Sequence, residues 1–124
     1  MAKILIIEDN PTNMKLTAML LARVGHQVLQ AVDAETGMAL ALTDRPDLIL
    51  MDLQLPGMDG LAATTRLKQS PITTNIPVVA LTALAMKEDQ ARAMTAGCDA
   101  YIAKPIKYQE LYATVNTLLA ARQA

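Results

Sequence analysis

Five short apolar runs alternate with five helical patterns along 124 residues, and no other feature limits the possible folds so strongly. "KILII" (3–7) is followed by the helical "NMKLTAMLLARVG" (13–25), which meets a stop at Gly25. "QVLQAV" (27–32) alternates like a half-buried strand, and "AETGMALALT" (34–43) reads as a second helix, weakened at Gly37. "DLILMD" (47–52), entered through Pro46, is a fully apolar strand that leads to the helical "GLAATTRLKQ" (60–69). "PVVALT" (77–82) precedes the helical "KEDQARAMTA" (87–96), closed by Gly97. "AYIA" (100–103) and the helical "YQELYATVNTLLAARQ" (108–123) complete the series. Near-continuous apolar strands that alternate with helices predict an α/β fold, a parallel sheet covered on both faces. A closed eight-stranded barrel needs about 250 residues, so an open doubly wound sheet fits the length.

In such sheets ligands bind outside the carboxyl ends of the strands, where the strand order reverses. The residues that close the strands are therefore the candidate site. The first strand ends in Glu8 and Asp9, the third in Asp52, the fourth in Thr82 and the last in Lys104-Pro105. Each alone is ordinary, since acids after strands often cap the next helix. Together they gather three carboxylates, a hydroxyl and an ammonium at one edge of an otherwise apolar sheet.

Three carboxylates at close range repel, and without compensation one pKa must rise. A hard divalent cation relieves the repulsion. Mg²⁺ takes a few carboxylate oxygens, a backbone carbonyl and several waters. Asp9 and Asp52 are candidate direct ligands, Glu8 one acting through water, and the Gln54 carbonyl is close enough in sequence to help. The open positions then suit a phosphoryl group. Lys104 would supply fixed positive charge and Thr82 a hydrogen bond, the usual parts of phosphoryl transfer. Asp52 is the candidate nucleophile, because carboxylates form acyl phosphates.

"IIEDN", "LILMDLQLPGMDG", "VVALTA" and "YIAKP", in this order and spacing, resemble the receiver domain of bacterial two-component response regulators. The resemblance covers residues 1–124 as one domain and implies a flavodoxin-like (βα)5 fold with strand order 2-1-3-4-5. It implies that Asp52 becomes a 4-aspartylphosphate, taking the group from a histidine kinase or a histidine phosphotransfer protein. It also implies Mg²⁺ at Glu8, Asp9, Asp52 and the Gln54 carbonyl, phosphoryl contacts from Thr82 and Lys104, and a cis Lys104-Pro105 peptide. The family's switch places Thr82, small Ala83 and Tyr101 together, with output to a downstream protein through the fourth helix, fifth strand and fifth helix. Gln54 and Leu84 take the two positions that, in this family, help to set the lifetime of the phosphoryl group.

Bulk properties agree with a signalling module of that kind. Net charge is −1, which offers no basic face for DNA. One cysteine, Cys98, excludes an internal disulfide and one histidine, His26, excludes a histidine metal site, a pattern expected of a cytoplasmic protein. No apolar stretch approaches the roughly 20 residues of a membrane span, and "MAKILIIEDN" lacks the cleavage site of a signal peptide. The core must be built without Phe or Trp, from aliphatic residues and eight Met. The start at Met-Ala-Lys and the end soon after the fifth helix suit a stand-alone regulator of the cell-cycle and polarity type. A receiver excised from a hybrid kinase is the alternative, because such receivers share these stretches. Self-modification with no separate substrate means that the domain is expected not to be an enzyme in the usual sense.

Two readings of other classes compete. A flavodoxin-like cofactor binder needs a phosphate-holding first loop, where "EDNPTN" offers acids, and aromatics to stack a flavin. A haloacid-dehalogenase-type phosphatase needs a second Asp two residues after the nucleophile, where Gln54 stands. The first helix adds a question of its own. Met14, Leu16, Met19, Leu20, Leu21 and Val24 are more apolar residues than one buried stripe requires. A wide face packed under the sheet is the simpler reading, and a docking patch for a helical phosphotransfer partner the sharper one.

Overall fold

A computed structural model describes residues 2–55, 57–83 and 87–123. Five parallel strands, β1 (Lys3–Ile7), β2 (Gln27–Ala31), β3 (Leu48–Asp52), β4 (Val78–Thr82) and β5 (Ala100–Ala103), form one sheet in the order β2-β1-β3-β4-β5. The helices are α1 (Pro11–Arg23), α2 (Ala34–Asp44), α3 (Gly60–Gln69), α4 (Lys87–Ala96) and α5 (Tyr108–Gln123). The expected fold class and strand order are thus observed.

Alternation along the strands sorts the core into two layers. Ile4, Ile6, Leu48, Leu50, Val79, Leu81 and Ile102 face α1 and α5 and pack on Met14, Leu21, Leu111 and Val115. Leu5, Ile7, Ile49, Met51, Val78 and Ala80 face the opposite way, onto Ala34, Ala41, Ala63, Leu67 and Ala93. Successive side chains point to opposite faces, so a strand covered on both sides must be apolar throughout. Fully burying a Leu or Ile contributes about 1.5–3 kcal/mol. Small residues on α2 let it approach the sheet closely. An added Cβ at Gly37 would lie 2.3 Å from Ile7 Cδ1, which accounts for a glycine inside a helix.

Local chemistry moves several boundaries. α1 starts two residues before the predicted 13, because Asn10 caps it through the Asn13 N–H and Pro11 takes the first helical position. It ends at Arg23, and Gly25 turns the chain with φ +92°. Asp47 stays outside β3; its carboxylate accepts the Lys3 N–H at 2.8 Å. Among the described residues no helix is long and apolar enough to cross a membrane.

Candidate phosphoryl-acceptor site

Sheet register assembles the site. Ile7 pairs with Met51, so Glu8 and Asp52 leave their strands side by side. Asp52 pairs with Leu81 and Thr82 with Ala103, which sets Thr82 and Lys104 one step further along the same edge. The main chain holds these ends in place: Glu8 N–H donates to Ala31 O, Leu53 N–H to Leu81 O and Lys104 N–H to Thr82 O, at 3.0, 3.0 and 2.7 Å. A backbone contact locks the acceptor loop from behind. An added Cβ at Gly60, the first residue of α3, would stand 2.5 Å from the Asp52 carbonyl oxygen.

Lys104 Nζ lies 3.0 Å from Glu8 Oε1 and 3.3 Å from Asp52 Oδ2. The approach to Glu8 is an ion pair at a poor hydrogen-bond angle, and Oε1, buried, has no well-formed hydrogen bond among the described residues. Glu8 Oε2 accepts the Asn10 N–H at 3.2 Å, and Asp52 Oδ1 accepts the Gln54 N–H at 2.9 Å. Burial and the neighbouring Asp52 push the Glu8 carboxyl up to about 7, against the opposing pull of Lys104. Burial also pushes Asp52 up, but the Glu8 carboxyl, the Gln54 N–H and the Lys104 charge outweigh it and hold Asp52 below its usual value. Desolvation works to lower Lys104, and its two carboxylate neighbours more than reverse this. One lysine charge faces two buried carboxyls.

Glu8, Asp9 and Asp52 each bring a carboxylate oxygen within 4.8 Å of the others, with Asp9 exposed and the other two buried. This all-oxygen donor set, three carboxylates of which two are buried, fits a hard divalent metal. Thr82 is buried at the end of β4. Tyr101 is half-buried on β5, packed against the α2–α4 layer, and its hydroxyl shares a hydrogen bond with the Thr82 side chain. Burial and the Asp89 carboxylate raise the Tyr101 phenol. Ala83 is exposed, its N–H donating to Gln54 Oε1 at 3.3 Å. The Lys104-Pro105 peptide is cis. Leu84 lies outside the described residues.

Several contacts escape a reading of strand ends alone. The pressure of Gly60 on the acceptor backbone and the Asp59 side chain capping α3 through the Ala62 N–H both come from "GMDG". Their signal is a glycine at each end of a four-residue stretch after Asp52. The Gln54–Ala83 bond joins two loops and has no local signature. Cys98 is buried, and burial raises its thiol. On α1 the apolar residues divide: Met14, Leu20 and Leu21 are buried, while Leu16, Met19 and Val24 are 42%, 51% and 48% exposed.

The family model described as "Response regulator receiver domain" matches residues 4–116. The chain belongs to this family. It is 42% identical over 121 residues to the Protein PilH of Pseudomonas aeruginosa, covering 97% of this chain and 99% of that protein. It is also 42% identical over 116 residues to the polar-differentiation response regulator DivK of Brucella anthropi, covering 94% of each. Among solved structures it resembles the receiver domain of a sensor histidine kinase from Pseudomonas aeruginosa, which has a magnesium ion coordinated in the active-site cleft. The TM-score is 0.90 at 34% identity, over 96% of this chain and 98% of that one. Membership in the family displaces the flavin-binding and phosphatase readings.

Proposed function

We propose that this receiver accepts a phosphoryl group on Asp52 from the phosphohistidine of a histidine kinase or phosphotransfer protein. The observation that carries the reading is the Asp52 carboxylate held below its usual value at the end of β3, with Lys104 Nζ 3.3 Å away. A carboxylate oxygen of Asp52 attacks phosphorus, the P–N bond breaks, and its electron pair leaves with the imidazole nitrogen. Lys104 balances the negative charge carried by the phosphoryl oxygens, and Thr82 offers a hydroxyl to them. Glu8, Asp9, Asp52 and the Gln54 carbonyl would hold Mg²⁺, which when bound neutralises phosphoryl charge and orients the group. Hydrolysis of the acyl phosphate resets the domain, so it modifies itself and turns over no separate substrate.

The bond between Tyr101 and Thr82 supports a switch in which the hydroxyl of Thr82 is drawn toward the phosphoryl group and Tyr101 follows. Phosphorylation then shifts a pre-existing equilibrium, and a downstream protein reads the surface of α4, β5 and α5. Exposed Met19 on α1, which lines a groove of about 580 Å³ that reaches Glu8 and Asp9, and exposed Leu16 on the same helix support docking of the phosphodonor protein on α1. The likeness to PilH and DivK over nearly their whole lengths supports output by protein contact. A receiver attached to a kinase remains the second arrangement, favoured by the likeness to a histidine kinase's receiver.

The test is covalent. Incubation with Mg²⁺ and acetyl phosphate should add one phosphate-sized mass, lost with EDTA and in Asp52→Asn. A gain that persists in Asp52→Asn refutes the assignment of the acceptor.

A further inference from the structure

β5, the strand that carries Tyr101, lies at the edge of the sheet and pairs with β4 alone. A lysine holds the chain at each end of it. After its carboxyl end, Lys104 reaches Glu8 and Asp52 in the candidate site. Before its first residue, Asp99 is held by Lys68, near the end of α3. Lys68 Nζ donates to Asp99 Oδ2 at 2.9 Å, to Ile76 O at 2.8 Å and, more weakly, to Thr74 O at 3.4 Å. These acceptors match the three N–H donors of an ammonium. Asp99 Oδ2 also accepts the Val78 N–H at 2.9 Å, and the Asp99 N–H donates to Val78 O at 2.8 Å. The lysine stem passes over Gly97, where an added Cβ would stand 2.8 Å from Lys68 Cγ. One ammonium thus joins the end of α3, the start of β4 and the loop between α4 and β5. α4 depends on such a tie. Among the described residues of this helix only Ala93 is buried, so its apolar hold on the sheet is small. Its end is closed by Gly97 N–H on Met94 O and Cys98 N–H on Ala93 O, at 3.1 and 3.0 Å, directly before Asp99. Nearer its start, Asp89 and Arg92 line a cavity of about 140 Å³ together with Thr82.

We infer that the Lys68–Asp99 tie is the fixed point against which the switch works, anchoring the end of α4 and the start of β5 so that rearrangement around Asp52 turns Tyr101. The inference rests on the proposed switch and adds the element that makes it productive. An edge strand free to shift at its far end would absorb the pull of Lys104 and Thr82, and Tyr101 would keep its place beside them. With that end fixed, the same pull is expressed in the Tyr101 side chain and in the first turns of α4, which face Thr82. Lys68 touches no reacting atom. It is a positioning residue that acts through Asp99.

The experiment uses the full chain with Lys68→Met, which keeps an apolar stem and removes the charge, and with Asp99→Asn, which keeps an acceptor for the Val78 N–H. Ile4→Val, a core change in the opposite layer, controls for lost stability alone. Amide exchange at Gly97, Cys98 and Asp99, followed by NMR, should quicken roughly tenfold in Lys68→Met, as expected for loss of a hydrogen bond to a charged group, and severalfold in Asp99→Asn. Mg²⁺ with beryllofluoride, a phosphoryl mimic, should shift the Tyr101 ring signals in the wild type and in Ile4→Val, and by roughly half as much or less in Lys68→Met. Labelling of Asp52 by acetyl phosphate should stay within about twofold in every form, because the tie leaves the reacting groups in place. Equal exchange at Gly97, Cys98 and Asp99 in the wild type and Lys68→Met overturns the anchor. A full Tyr101 shift in Lys68→Met overturns its part in the switch, as does an equal loss of the shift in Ile4→Val. No Tyr101 shift in the wild type would instead refute the switch reading, and the exchange comparison would still decide whether the tie anchors α4.

Discussion

Two glycines flank the turn after the acceptor, and they should fail for different reasons when substituted. At Gly60 the obstacle is contact: an added Cβ would meet the Asp52 carbonyl oxygen at 2.5 Å and Leu53 Cα at 2.7 Å. Both are backbone atoms, so neither can rotate away, and either α3 or the end of β3 must shift by roughly half an ångström or more. Overpacking of this kind costs about 1–3 kcal/mol. The better helix propensity of Ala returns at most about 1 kcal/mol, and less at the first position of a helix. Gly60→Ala should therefore lose about 1–2 kcal/mol net, read as a lower urea midpoint at unchanged m-value. The displaced group carries the proposed nucleophile, and an error of about 1 Å in placement can cost roughly a hundredfold in rate. Phosphorylation by acetyl phosphate should slow by roughly tenfold or more, beyond what the stability loss explains. At Gly57 the obstacle is conformation: φ is +78° and no atom lies within 4 Å of an added Cβ. Gly57→Ala should cost about 1–2 kcal/mol for the left-handed backbone, and Gly57→Asn less, because Asn adopts that conformation readily. Gly60→Asn should be worse than Gly60→Ala. A Gly60→Ala protein with the wild-type urea midpoint and phosphorylation rate would show that α3 does not brace the acceptor, and an Asn rescue at both positions would refute the distinction.

Other consequences concern the charges and the surface. Without metal the Glu8 carboxyl is raised from 4.5 to about 7, so its share of stability is complete below about pH 4.5 and is lost as pH rises through about 7. Urea midpoints in EDTA should fall more from pH 5 to pH 8 for the wild type than for Glu8→Gln, and parallel curves would contradict the burial argument. Lys104→Met leaves two buried carboxylates without their cation and should destabilise by about 1–3 kcal/mol at pH 7. The loss should shrink at pH 5, where Glu8 takes up a proton, and a penalty equal at both values would rule out the shared-charge account. Leu16→Asp should slow transfer from a phosphohistidine protein severalfold and leave acetyl phosphate labelling unchanged; equal loss in the two assays would move the docking site off α1.

The order of strands and helices was legible because β1, β3 and β4 are buried on both faces and so write themselves as unbroken apolar runs. The site was legible for the opposite reason. "LILM" is committed to the core, and a carboxylate that follows it at Asp52 has no packing role, so it stands out against its own strand. What the pattern could not carry is the state of these groups. Glu8 was expected to take part in a metal site; its burial against Lys104, with a carboxyl raised to about 7, comes from sheet register and not from spacing. The start of α1 was missed although Asn10 and Pro11 both announce it, because the apolar periodicity begins only at Met14. Gln54 shows the limit most clearly. Its position two residues after Asp52 marks it as part of the site, but its partner is the main chain of Ala83, which any residue except proline could supply. A side chain that bonds to backbone leaves no trace in the identity of the residue it touches. Contacts of this sort, among them Gly60 against the Asp52 carbonyl and Asp59 on the Ala62 N–H, come into view only once the strands are in register. Four strand ends can thus name the members of the candidate site, while the contacts that hold its loops depend on geometry that their residue types leave open.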